Sequence, residues 1–171
     1  MPTSPETGYG YIKSTEPFKD NCINGLSIES FIEKPNLESA KKFIQDKKFT
    51  WNSGIFLFKA SVIINEIKRL SPQIYSSCLK TFKNALNDLD FLRLNKQQFN
   101  NCPNISLDKA VMEKTNIGTV IPMNVGWSDV GNWSSLWQES EKDNDGNIVV
   151  GKVINKNVSN SYIMSDHRLV V

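Results

Sequence analysis

Up to about residue 140, short runs with a two-residue apolar period alternate with segments whose apolar residues recur three and four apart. That alternation restricts the chain to layered α/β architectures. Leu26, Ile28, Ser30 and Ile32 alternate with more polar neighbours, as one strand face does. The run stops at Glu33-Lys34-Pro35, because proline cannot donate to a ladder and restricts the residue before it. Asn36 predicts the N-cap of a helix over 37–47, with Leu37, Ala40, Phe43 and Ile44 on one face. Further strands are predicted at 9–12, 50–58 and 117–123. One helix is predicted from Ser61 to Leu70. A longer one opens at Ser71-Pro72, with Ile74, Cys78, Leu79, Phe82, Leu86 and Leu89 as core contacts. Residues 95–104, rich in Asn and Gln, predict a loop, and Ser106 the cap of a short helix through 110–112. A loop over 125–131 and a helix carrying Trp133, Leu136 and Trp137 complete this part. After the turn at Asn144-Asp145-Gly146-Asn147 only short strands are predicted, at 148–154, 162–164 and 169–171. A first domain over 1–142 and the start of a β-rich segment over 143–171 follow.

Composition narrows the function classes. A hydrophobic fraction of 39% supplies a real core, and a net charge of +2 offers no broad field for nucleic acid or a membrane surface. No apolar run approaches the length of a membrane span, and 1–8 carries no signal-peptide core. Cys22, Cys78 and Cys102 are odd in number and have no C-x-x-C spacing, so free thiols in a reducing cytosol are expected. His167 is the one histidine, near the very end, and any His-based triad or metal site would have to use it.

Several polar clusters sit at predicted strand ends, where open α/β sheets place their ligands. Gly8-Tyr9-Gly10 lets a ligand approach the backbone closely, and reads equally as a tight turn. Glu33 can accept two adjacent sugar hydroxyls and Lys34 can meet a phosphate; a surface ion pair explains them too. Asn52 interrupts an apolar strand with an amide that both donates and accepts, or marks a bulge. Asp129, between Gly126 and Gly131, suits a magnesium ion that takes the rest of its shell from phosphates and water, or an Asx turn.

Taken in order, PETGYGYI at 5–12, FIEKP at 31–35, WNSGIF at 51–56, SLDKAVMEK at 106–114 and GWSDVGNW at 126–133 resemble the bacterial-type mannose-1-phosphate guanylyltransferases. The resemblance covers essentially the whole chain and weakens after about residue 138. It implies a Rossmann-like nucleotide-diphospho-sugar transferase fold: a partial mixed sheet with flanking helices, then the start of a short-strand, β-helix-like segment. It implies a Mg2+-dependent transfer in which mannose 1-phosphate and GTP give GDP-mannose and pyrophosphate, a step in cytoplasmic polysaccharide biosynthesis. Gly10 would offer its backbone to the sugar, Glu33 and Asn52 would hold its hydroxyls, and Lys34 would meet its phosphate. Asp129 would bind the metal and Asp108 would support the pocket. Lys109 stands where the family commonly has tyrosine.

No part of the sequence matches the family's glycine-rich triphosphate loop or its other metal-binding Asp. The expectation is therefore a sugar-phosphate-binding part, inactive when isolated, with Met1 an internal start or a truncated gene model. The β-rich segment leaves room for a homo-oligomer. Two other readings stay open: a non-catalytic sugar-phosphate-binding or regulatory subunit, and a transferase for another hexose 1-phosphate.

Overall fold

The computed structural model describes residues 2–19 and 23–171, so Cys22 lies outside the described residues. The chain divides into two compact units, Met1–Asn124 and Val125–Val171. The compositional change near residue 143 falls inside the second.

The first unit is organised by a four-stranded sheet of order β3-β1-β2-β6, formed by Phe49–Trp51, Tyr11–Ser14, Leu26–Ile32 and Thr119–Val120, with every neighbouring pair antiparallel. The pleat sends successive side chains of β1 to opposite faces, and each face has its own core. On one face Tyr11 packs with Ala40 of helix α1 (Leu37–Phe43) and with Phe49. The Phe43 and Phe49 rings stack there at 4.3 Å. On the other face Ile12, Phe18, Phe31 and Val120 cluster, with Leu26, Ile28 and Met112 against them. Asn36 caps α1 as its sequence position predicts, accepting from the Ser39 N–H at 2.8 Å.

Helices α2 (Ala60–Leu70) and α3 (Pro72–Lys83) follow, then a hairpin of β4 (Leu86–Asp88) and β5 (Phe91–Arg93), and helix α4 (Lys96–Asn100). The long amphipathic helix expected from residue 72 is shorter than its apolar spacing suggests. It ends at Lys83, where the Asn84 amide donates to the Lys80 carbonyl and to Gln98. Leu86 and Leu89 instead belong to the hairpin and are 72% and 95% exposed. Leu89 takes the positive φ that a two-residue hairpin loop demands. The loop expected over 95–104 contains α4, because Asn95 caps it by accepting from the Gln98 N–H.

The strand expected to reach Phe58 ends at Trp51. The Asn52 side chain accepts from the Gly54 N–H at 3.0 Å, an Asx-type turn that takes the chain out of the ladder. The strand expected over 117–123 pairs only at Thr119–Val120.

The second unit holds helix α5 (Trp133–Glu139), capped by Asn132, and a parallel pair, β7 (Ile148–Val153) and β8 (Tyr162–Val170). Strand β8 runs unbroken where two short strands were expected. Gly151 marks the irregularity in β7: its φ is +86°, and a Cβ there would collide with the Ser165 carbonyl. Among the described residues no helix is long and apolar enough to cross a membrane.

Candidate functional site

Strand register assembles most of the candidate site. Tyr11 pairs with Ile32 on one side and Trp51 on the other. One residue beyond those pairs, Gly10 therefore lies between Glu33, just past β2, and Asn52, just past β3. The closeness is tight: a Cβ at Gly10 would sit 2.8 Å from Glu33 Oε2 and 3.2 Å from Asn52 Cβ. The Asn52 N–H donates to the Gly10 carbonyl at 2.8 Å, which closes the gap between the two chain segments.

Asp108 joins from a distant part of the sequence. It begins a π-helical turn, Asp108–Met112, a distortion that often re-aims side chains at functional positions. Its Oδ1 accepts from Asn52 Nδ2 at 3.0 Å. Asn52 is thereby fixed in both senses, its oxygen on Gly54 and its nitrogen on Asp108. Glu33, Asn52 and Asp108 are all half-buried, with Gly10 buried beneath them.

Two ties hold the π-turn in place. Ser71, between α2 and α3, donates to the Ala110 carbonyl at 2.9 Å. Thr115, just past the turn, donates to Glu66 on α2 at 2.5 Å, and Arg69 pairs with the same carboxylate. The Arg69 guanidinium first, and the Thr115 hydroxyl second, hold the Glu66 carboxyl below its usual value near 4.5. A depressed acid binds fewer protons folded than unfolded, so its stabilisation is present at neutral pH. It is lost as pH falls through the ordinary carboxylate range to the lowered folded value. A Glu66→Gln variant is therefore expected to be less stable at neutral pH and to show a flatter acid limb. Melting temperatures from about pH 3 to 7 would show this; an acid limb as steep as the parent's would contradict it.

Lys34 is exposed, with its Nζ 3.2 Å from Glu33 Oε1. Its φ of +49° is left-handed, a conformation that costs a non-glycine residue about 1 kcal/mol or more. Glu113 is the residue that sequence reasoning missed: its carboxylate accepts from the Glu33 N–H at 3.3 Å and so braces the strained turn. It lies within SLDKAVMEK, but nothing local marks it. The indole Nε1 of Trp51, beside Asn52, is buried without a partner, and the Tyr9 ring meets Trp51 edge-on at 5.2 Å.

The structure thus brings Gly10, Glu33, Lys34, Asn52 and Asp108 together at the ends of three adjacent strands. Carboxylates and an oriented amide here present both acceptors and donors, the complement of neighbouring hydroxyls, with one cation alongside. Asp129 belongs to the second unit, exposed in the loop before α5, and its carboxylate has no hydrogen-bond or ion-pair partner among the described residues. A free, solvent-facing carboxylate suits a metal that draws its remaining ligands from phosphate and water. Among the described residues no group of three or more His, Cys, Asp or Glu is gathered for a metal.

The "Nucleotidyl transferase" family profile matches residues 1–146. The mannose-1-phosphate guanylyltransferase of Salmonella montevideo is 45% identical over 99% of this chain, and that of Escherichia coli 44% over 99%. The alginate biosynthesis protein AlgA of Pseudomonas syringae pv. tomato is 45% identical over 97%. The chain spans 36%, 37% and 34% of these relatives. Among solved structures, one described as the mannose-1-phosphate geranyltransferase of Thermus thermophilus superimposes with a TM-score of 0.74 at 28% identity, covering 99% of this chain and 47% of that one. The mannose-6-phosphate isomerase of Helicobacter pylori gives 0.67 at 32% identity over 75% of this chain and 49% of its own. With the profile covering most of its length, the chain belongs to the nucleotidyl transferase family.

Proposed function

We propose that this chain supplies the sugar-phosphate-binding part of a mannose-1-phosphate guanylyltransferase, which joins mannose 1-phosphate and GTP into GDP-mannose and pyrophosphate. The observation that carries the reading is the Gly10–Glu33–Asn52–Asp108 cluster, held by strand register and by the Asn52–Asp108 hydrogen bond. In this role Glu33 accepts from sugar hydroxyls, Asn52 bonds a further hydroxyl, and the Gly10 backbone lies against the ring. Asp108 fixes the Asn52 amide. Lys34, pushed outward by its left-handed backbone, meets the sugar phosphate as a point charge.

The chemistry makes modest demands on side chains. The attacking group is a phosphate oxygen, already ionised near neutral pH, so the protein need supply no general base. Rate then depends on aligning two polyanions and neutralising charge as the new bond forms. A divalent metal is usual for nucleotidyltransferases of this kind. Asp129 is the residue that would hold it, as Mg2+, and the ion would neutralise phosphate charge. An activity that consumes GTP and makes a nucleotide sugar belongs in the cytoplasm.

Ligand titration of the 171-residue chain tests the binding half of this reading. Mannose 1-phosphate is expected to raise the melting temperature, glucose 1-phosphate less so, and free mannose least, because the Lys34 contact needs a phosphate. A chain indifferent to every hexose 1-phosphate would defeat the reading. An equal response to mannose and glucose phosphates would move it to a broader hexose specificity.

A further inference from the structure

The second unit contains a cleft of about 470 Å³ lined by Trp133, Ser134, Trp137, Gln138, Asn160 and Tyr162. That volume falls in the range of small-ligand sites. Every one of the six lining residues is neutral, and none is used by the nucleotidyl-transfer reading. We propose that this cleft binds a neutral pyranose, as a carbohydrate site separate from the one at Gly10 and Asn52.

The aromatic geometry selects the ligand. The Trp133 and Tyr162 ring centroids are 5.8 Å apart and the planes meet at 51°. Two rings this close leave no gap for a flat nucleobase to enter between them. They present two inclined apolar faces instead, and a sugar chair has C–H groups that can lie against both. Trp133 is 72% exposed, a large apolar area held at the surface by the first turn of α5. The third ring, Trp137, is locked in place: its indole N–H donates to the Gly146 carbonyl at 2.9 Å, and Lys142 Nζ sits 4.6 Å from its ring centroid.

The polar lining fits the same class. Gln138 and Asn160 each carry a donor and an acceptor, and Ser134 a hydroxyl, which is the pairing that sugar hydroxyls require. Asn160 is set rigidly, with φ at +49° and its N–H donating to the Asp145 carbonyl. None of the lining side chains carries a charge, and Lys142, the cation over the Trp137 ring, is engaged by the Gln138 and Ser140 carbonyls.

The test uses the 171-residue chain with methyl α-D-mannopyranoside, which has neither phosphate nor base. Saturation-transfer NMR is expected to light up its ring C–H protons, with saturable quenching of tryptophan fluorescence. Trp133→Ala should weaken this binding about fivefold or more, since a stacked ring is lost. Its exposure means that no core cavity is left behind. Tyr162→Ala should weaken it similarly, and Gln138→Ala less. Asn52→Asp should leave it unchanged, which separates this cleft from the sugar-phosphate site. Absence of any transfer, retention of full binding in both aromatic variants, loss in Asn52→Asp alone, or a response to guanosine but not the pyranoside would each overturn the proposal.

Discussion

An Asn52→Asp variant is expected to bind mannose 1-phosphate about 100-fold more weakly than the parent chain, a loss of ~2.7 kcal/mol. The substitution keeps shape and size and changes only charge. In the parent, Asn52 Nδ2 donates to Asp108 Oδ1 at 3.0 Å. In the variant a carboxylate oxygen takes the place of that nitrogen, so two acceptors of like charge face one another. One of them must swing away, and either movement dismantles the amide that would hold a sugar hydroxyl. The added negative charge also repels the ligand's phosphate. Stability should fall by about 1–3 kcal/mol, because a half-buried hydrogen bond becomes a repulsion. Asn52→Ala separates the two effects. It removes the donor without adding charge, and should cost only about tenfold in affinity. Calorimetric titration of both variants decides the matter; equal losses would mean that charge at this position is irrelevant.

The cluster's sequence-local parts were legible in advance, and its long-range parts were not. Asn52 stood out because an amide interrupts an apolar run, and Glu33-Lys34-Pro35 because proline ends a strand. Both signals act within a few residues. The resemblance to known transferases, and not any local pattern, singled out Asp108. Glu113 escaped notice because its role is to receive the N–H of Glu33, 80 residues away, and no periodicity encodes that contact. The left-handed turn at Lys34 was equally unreadable, since lysine gives no hint of positive φ.

The fold shows the same division. The Asn36 cap is set by neighbours and came out as read. The single face read for Leu26, Ile28, Ser30 and Ile32 did not: the β1–β2 pairing is irregular at Glu29, so Leu26 and Ile28 pack with Ile12 and Phe31 while Ile32 packs with Tyr11 on the opposite face. The spacing of Phe82, Leu86 and Leu89 imitates a helix stripe, but Asn84 ends the helix and the Asn87–Asp90 stretch prefers a turn. A stripe argues burial only when a partner surface exists, and Phe82 remains 62% exposed. Asn95 shows the converse: an Asn-rich stretch reads as loop until one of its asparagines caps a helix.

Gly10→Ala is the second change expected to act strongly, and it should act on binding far more than on folding. The new Cβ would lie 2.8 Å from Glu33 Oε2 and 3.2 Å from Asn52 Cβ. The first contact is with the free end of a flexible side chain, so Glu33 can turn aside cheaply. The second asks Asn52 to give by a few tenths of an ångström. Overpacking of this size costs about 1–2 kcal/mol, and the lower chain entropy of unfolded alanine offsets part of it. Binding has no such relief. Glu33 leaves the position where it would accept sugar hydroxyls, and charge-assisted hydrogen bonds worth about 1.5–3 kcal/mol go with it. Affinity for mannose 1-phosphate should drop about 30-fold. Because displacement of Glu33 is the cause, most of the effect should vanish where Glu33 is already absent. In a cycle of Gly10→Ala, Glu33→Ala and the double variant, the second change should add about threefold or less. Fully additive losses would mean that the new methyl group acts only on the sugar ring lying against the Gly10 backbone, and that the contact with Glu33 is incidental.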